Sequence, residues 1–377
     1  MLDRVGLAEV LTKREPHPAD ELRDLLAGGA PVVVLGAGNL GGKIAEFVRG
    51  SDIELAAVAD NGSSHWGESL HGTTVQSPAD LPRDLKERAA WVVAIWSPGH
   101  AYARTHEGLL ESGVRHPFPA AALMQLFPDR LLPHFHFQTP DFYLQHARQI
   151  TEAFESLADD ESRRQFLAHA DARINLRFDA LAHADVQRQY FPPDVVSLST
   201  TEVFLDAGAF DGDTLQSFAE ATENRFEKYI ALEPDPASYE QLVRVAAEYP
   251  EGVVETFPYA VGAENETVRF NASGGIGAAI SETGSVTVQC KRIDDAFASA
   301  APTYLKFDIE GAELNALEGA QETIARCKPK LAVCIYHRPE DLWQIVLFLR
   351  ERFSFYDFYV RTHQYDGLEL VLYAIPR

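Results

Sequence analysis

"FLDAGAFDGDT", residues 204–214, runs from an apolar strand into a short turn that carries two glycines and three aspartates. A phosphate would be repelled by so many carboxylates. The turn therefore serves only itself or faces a ligand that is cationic or rich in hydroxyls.

Gly208 and Gly212 are spaced GxxxG, Asp206 ends the strand, and the next strand closes with Glu233 in "IALEPDP". An acid in that place accepts both hydrogen bonds of a ribose diol in doubly wound nucleotide sites. With acids at the first turn as well, the ligand's other end is expected to carry an ammonium and a sulfonium. S-adenosyl-L-methionine fits this charge; a dinucleotide does not.

The chain alternates short apolar runs with helical periodicity in two places, which implies parallel strands with crossover helices. The first series is "PVVVLG", "NLGGKIAEFVRG", "IELAAVAD", "SPADLPRDLKERAA" and "WVVAIWS"; the second begins at Glu202 and continues through "KYIALEP", "VVETFPYAVG", "TYLKFDIEG" and "KLAVCIYH". The fold class expected is α/β, with two Rossmann-like doubly wound units joined by a helical connector. The boundaries read as 1–125 for the first unit, 126–198 for the connector, which ends at the paired prolines of "YFPPDVV", and 199–377 for the second.

The first unit has its own turn, "VLGAGNLGGKIAE", with Gly36, Gly38 and Gly41 in GxGxxG spacing and Asp60 at the end of the following strand. In a dinucleotide site the glycines allow tight turning, the helix N-terminus holds the diphosphate and the acid binds a ribose. The alternative is that small residues merely let the first helix pack on the sheet. No hydride-transfer constellation follows; His100 in "SPGH" is a lone loop histidine.

With 56 acidic against 33 basic side chains the net charge is −23, which repels nucleic acids and anionic membranes. The three cysteines, Cys290, Cys327 and Cys334, form no CxxC, which argues against a disulfide framework or a structural zinc site. They read as ordinary interior thiols. No apolar run is long enough for a membrane helix, and the N-terminus is charged throughout. A soluble, cytoplasmic protein is expected, with a small hydroxylated molecule as partner and homo-oligomerisation open.

"FLDAGAFDGDT", "ALEPDP", "PYAVG", "TYLKFDIEGAELNALEGA" and "LAVCIYHRPEDLW" follow one another in this order and resemble the successive signatures of FkbM-type S-adenosylmethionine-dependent methyltransferases. The resemblance covers roughly residues 199–377. Segments "DDESRRQF" and "QYFPPDVV" resemble the region that precedes this core in longer members, and the first 125 residues resemble an accessory Rossmann-like domain. The resemblance implies a class I methyltransferase fold. It also implies that Asp206, Gly208, Ala209, Asp211, Gly212 and Thr214 surround the methionine part of the cofactor. Glu233 would bind the ribose, Pro234 and Asp235 would border the adenosine, and Tyr259 and Ala260 would lie near the adenine. Asp211 and Asp213 could instead cap the helix that starts at Thr214.

Methyl transfer is an in-line displacement that needs alignment and removal of a hydroxyl proton. Strand alternation in "YLKFDIE" would put Lys306, Asp308 and Glu310 on one face. Three ionisable groups there are costly unless paired or facing a pocket. Asp308 is the first candidate for base or ligand-orienting acid, and His337 in "CIYHRPE" is its rival. Asp308 with Glu310 could hold a magnesium ion. Glu310 and Glu313 could also cap the next helix and pair with Lys306 or Arg326, the preferred reading for Glu313. "NASGGIGAAISETGSV" reads as a hairpin tip or a flap.

The leading expectation is O-methylation of a sugar or polyketide-like metabolite, in secondary metabolism or glycan modification. Two alternatives concern the first unit: an NAD(P) oxidoreductase fused to the methyltransferase, or a nucleotide or nucleotide-sugar binding module that guides it.

Overall fold

The computed structural model describes residues 4–12, 16–181, 188–272, 279–280 and 284–377. The chain gathers into two compact units. Unit one comprises Met1–Arg148, Arg164–Asp185 and Gln364–Leu368; unit two comprises Gln149–Arg163, Val186–His363 and Glu369–Arg377. The stretch 126–198, expected as a connector, is thus shared between them.

Unit one is built on β1 (Val32–Leu35), β2 (Leu55–Ala59), β3 (Ser69–Leu70), β4 (Thr73–Gln76), β5 (Ala90–Val93) and β6 (His116–Pro119), in the sheet order β3-β4-β2-β1-β5-β6. All pairs are parallel except the short β3–β4 pair. The run Val32–Leu35 is buried throughout because both faces of the sheet are covered. Val32 and Val34 belong to one apolar core and Val33 and Leu35 to the other. Helix Asn39–Arg49 turns Ile44, Ala45 and Val48 onto the first of these cores.

Unit two carries β7 (Val203–Ala207), β8 (Lys228–Leu232), β9 (Val254–Phe257), β10 (Tyr259–Val261), β11 (Glu266–Asn271), β12 (Ala279–Ile280), β13 (Val286–Lys291), β14 (Tyr304–Phe307), β15 (Lys330–Cys334), β16 (Tyr356–Thr362) and β17 (Leu370–Pro376). Seven strands form one sheet, β16-β17-β15-β14-β7-β8-β9, and four form a second, β10-β13-β11-β12. The core of the large sheet is parallel, while β17 is antiparallel to β15 and β16 to β17. The aromatic stretch near the chain's end supplies β16 and β17. β11 and β13 pair antiparallel, whereas the glycine-rich segment between them lies mostly in 273–278 and 281–283, outside the described residues.

Each large sheet reverses its strand order once, between β1 and β5 in unit one and between β7 and β14 in unit two. Open α/β sheets bind ligands at such a point, outside the carboxyl ends of the strands. Among the described residues no helix is long and apolar enough to cross a membrane.

Candidate functional site

In unit two the turn after β7 passes through Gly208 at φ +88° and Gly212 at φ +96°. A Cβ on Gly208 would lie 1.8 Å from the carbonyl oxygen of Asp308. Only glycine permits this approach of the β7 turn to the β14 loop. Glu233, just past β8, holds the turn from its other side: Phe210 N–H donates to its Oε2 at 2.9 Å and Asp235 N–H to its Oε1 at 2.7 Å. Burial raises the Glu233 carboxyl to about 7, against the pull of these two amides.

Asp206 is fully buried and has both oxygens engaged. Lys306 donates to its Oδ1 at 2.8 Å and Tyr229 to its Oδ2. Lys306 also donates to the Gly208 carbonyl at 2.7 Å and lies 4.8 Å from the centre of the Tyr190 ring. Burial alone would lower this lysine, but Asp206 and Asp308 hold it above its ordinary range. Asp206 thus anchors the turn from within, with both oxygens engaged and no exposed surface of its own.

The other turn aspartates act locally. Asp211 accepts from Asp213 N–H at 3.3 Å, and Asp213 accepts from Thr214 N–H at 2.6 Å. The helix begins at Asp213, with Gly212 in the left-handed region before it. Asp235 caps helix Pro236–Ala246 by accepting from Ala237 and Ser238 N–H. Ala209 is buried and donates its N–H to Leu232 O. Tyr259 stacks on Phe257 at 5.8 Å and Ala260 is buried in β10.

The acids after β14 do not continue the strand. β14 ends at Phe307, and Glu310 takes φ +54°, so the expected alternation through Glu310 fails at a left-handed turn. Asp308 and Glu310 meet instead through His337, whose Nε2 lies 3.5 Å from Asp308 Oδ1 and 3.8 Å from Glu310 Oε2. The Nδ1 atom of His337 lies 2.8 Å from Glu313 Oε1. Glu313 is fully buried and also accepts from Ile309 and Gly311 N–H. It ties the loop to the histidine and is not paired with Lys306 or Arg326, as the sequence had suggested.

These surroundings decide the protonation of the rivals. Burial would lower His337, but Glu313, Asp308 and Glu310 raise it to about 10. The imidazole is therefore already protonated at neutral pH, and the expectation of a base near its ordinary pKa does not hold. Burial would raise Asp308, yet Lys306, His337 and the Tyr190 hydroxyl, 2.7 Å from its Oδ2, bring it below the usual carboxylate range.

Two contributors to the site escaped the sequence reading. Tyr190 lies in the segment "QYFPPDVV", read there as a break and as part of the region preceding the core but not as a site, and Glu369 lies at the start of the last strand's approach. Asp308, Cys334 and Glu369 each bring one donor atom within 4.8 Å of the others. Glu369 accepts from Tyr336 OH at 2.9 Å and from Gln189 Nε2 at 2.6 Å. Burial and the charge of Asp308 raise it to about 7. Cys290 and Cys334 are buried, as expected for interior thiols, and Cys327 is half-buried.

In unit one Gly36 has φ +114°, and a Cβ on it would lie 2.7 Å from Ala94 O. The Asp60 carboxylate accepts from Ala37 N–H and Gly62 N–H, each at 2.6 Å. Gly38 caps helix Asn39–Arg49, and Gly41 packs so close that a Cβ would lie 1.8 Å from Gly36 O. His100 lies 3.2 Å from Asp366 and 2.9 Å from the Thr105 hydroxyl. All four sequence-predicted residues of this turn therefore gather at the carboxyl ends of the central strands β1 and β2, and close packing accounts for Gly36 and Gly41.

The family model of the methyltransferase FkbM domain matches residues 206–365. The crystal structure of methyltransferase FkbM from Methylobacillus flagellatus KT has a TM-score of 0.80 to this chain, covering 95% of each, at 21% sequence identity. That likeness is one of fold. The redox-sensing transcriptional repressor Rex from Roseiflexus sp. (strain RS-1) is 31% identical over 101 residues, 26% of this chain and 46% of its own length. The match spans about half of that curated relative.

Proposed function

Since residues 206–365 are a domain of the FkbM methyltransferase family, we propose that this methyltransferase moves the methyl group of S-adenosylmethionine onto a hydroxyl of a sugar or polyketide-like small molecule. The observation that carries the reading is the rim of carboxylates at the ends of β7, β8 and β14, which holds Asp211, Glu233 and Asp308 around a turn that only glycine can form. Such a rim favours an ammonium and a sulfonium and repels a diphosphate. Glu233, already ordered by two backbone amides, retains lone pairs for a ribose diol.

The acceptor oxygen attacks the methyl carbon as the carbon–sulfur bond breaks, and S-adenosylhomocysteine leaves. Asp308, kept ionised, accepts the hydrogen bond of the hydroxyl and aims its lone pair. The proton passes by way of Asp308 to Glu369, whose donor atom lies within 4.8 Å of that of Asp308 and whose carboxyl, raised to about 7, is matched to neutral working conditions. The protonated His337 lies 3.5 Å from Asp308 and 3.8 Å from Glu310, so the chain itself supplies a cation beside these acids. A soluble cytoplasmic setting and a small-molecule partner accord with this reading.

Calorimetric titration with S-adenosylhomocysteine tests it. Intact protein binds, and Glu233→Ala weakens binding about tenfold or more, in line with loss of charge-assisted hydrogen bonds. Absence of binding by the folded wild type would overturn the cofactor assignment; binding without methylation of any hydroxylated acceptor would overturn the reaction.

A further inference from the structure

A shallow cleft opens in unit one, lined among others by Leu40, Ile95, Trp96, Tyr102, Phe137 and Asp366. Its walls come from the ends of β5 and β6 and from the start of helix Asn39–Arg49, which places it at the strand-order reversal between β1 and β5. The walls are apolar and aromatic. The charge of Asp366 is already engaged by Tyr102 N–H and His100. The buried indole N–H of Trp96 has no hydrogen-bond partner among the described residues, which costs free energy unless a ligand supplies an acceptor.

On the other side of the glycine turn, Asp60 keeps one backbone hydrogen bond on each oxygen and room for more. Trp66 donates its indole N–H to the Asp60 carbonyl at 2.7 Å, and 45% of its surface is exposed. An exposed indole beside an acid with free lone pairs can serve as a stacking platform for a base. Between the two ends lies the N-terminus of helix Asn39–Arg49, where Gly38 leaves open space and a diphosphate is favoured.

We propose that unit one binds a nicotinamide adenine dinucleotide, with the adenine on Trp66, its ribose on Asp60, the diphosphate at Gly38 and the nicotinamide ring in the cleft against Trp96. A sugar in place of the nicotinamide would bury several hydroxyls against apolar walls, which disfavours a nucleotide-sugar. The site binds without hydride transfer. Where unit two presents Asp308 beyond β14, unit one presents Ala94 beyond β5: each donates its N–H to the last residue of the neighbouring strand, Ala207 and Leu35 respectively. This inference does not depend on the methyltransferase reading.

The full chain is titrated calorimetrically with NAD, NADH, NADPH and UDP-glucose. NAD or NADH is expected to bind, with NADPH about tenfold weaker because its extra phosphate meets the Asp60 carboxylate. Gly38→Asp adds a side chain into open space at a backbone conformation open to any residue. It also supplies a favourable helix cap. It should therefore retain or raise the melting temperature while weakening dinucleotide binding about tenfold or more. No dinucleotide binding by the folded wild type, unchanged binding in Gly38→Asp, or preference for UDP-glucose would each overturn the proposal. A failed S-adenosylhomocysteine titration would leave it untouched.

Discussion

The glycine turns of the two units are held by the same device and differ in what stands across from them. In each, an acid past the second strand accepts from a turn amide, Asp60 from Ala37 and Glu233 from Phe210. In each, the first turn glycine donates to the last residue of that strand, Gly36 to Ala59 and Gly208 to Leu232. The strand beyond the order reversal then diverges. Val34 pairs with Val92 in unit one, and Asp206 pairs with Lys306 in the corresponding register of unit two. Two residues further, unit one has Ala94 at the position where unit two has Asp308. A common framework fixes where a ligand goes, and this one strand decides whether ionisable groups meet it.

Asp308→Asn tests that decision most severely. Methyl transfer should fall about 100-fold to 10,000-fold, the range for loss of a positioned acid or base, far more than the affinity for S-adenosylhomocysteine, from which one of three rim carboxylates is removed. An unchanged rate would move the chemistry off β14. Lys306→Met comes next, because it leaves buried Asp206 short of its cation and should cost about 3–5 kcal/mol in urea unfolding. The valine pair of unit one shows that the register tolerates an apolar solution, so adding Asp206→Val should recover part of the loss. Full additivity of the two losses would contradict this.

Gly208→Ala and Gly38→Ala separate, on sterics alone, a turn position that needs glycine from one that does not. A Cβ on Gly208 would collide with Asp308 O at a positive φ, whereas a Cβ on Gly38 meets nothing within 4 Å. A loss of about 2 kcal/mol or more is expected for Gly208→Ala and about none for Gly38→Ala, both read from urea midpoints.

Much of this arrangement is legible in the sequence. Alternating apolar runs give both parallel sheets, and the glycines and the terminal acids Asp60 and Glu233 mark both turns. The matching positions Val34 and Asp206, or Ala94 and Asp308, also follow once the strands are aligned. What spacing does not reveal is contact at long range. Tyr190 reaches Asp308 across 118 positions, from a segment that looks like a helix break. Glu369 enters the cluster because β17 runs antiparallel to β15, a direction no local pattern encodes. The pKa near 10 of His337 likewise depends on three carboxylates that only the folded loop assembles.

The two units should also respond to pH in opposite senses. In unit two, burial raises Glu233 and Glu369 from 4.5 to about 7, and neighbouring acids raise His337 from 6.5 to about 10 despite burial. The native unit then binds more protons than the unfolded chain across this range, so the contribution of these groups is full below about pH 4.5 and declines as pH rises to about 10, by up to about 1.4 kcal/mol per unit for each titrating group. In unit one, burial and then Lys43 lower His134 to about 4, and burial lowers His169. There the unfolded chain binds more protons below 6.5, and stability is lost as pH falls toward 4. The lowered carboxyls Asp159, Glu202 and Asp308 act below their ordinary range, outside both windows. Hydrogen exchange followed by mass spectrometry, corrected for intrinsic rates, should therefore show unit one opening more readily at pH 5 than at pH 7 and unit two more readily at pH 9 than at pH 7. His337→Gln should flatten the second response and leave the first intact. Parallel responses in the two units would break the comparison, because they would mean that the charge of the β14 loop does not set the stability of the unit that carries it.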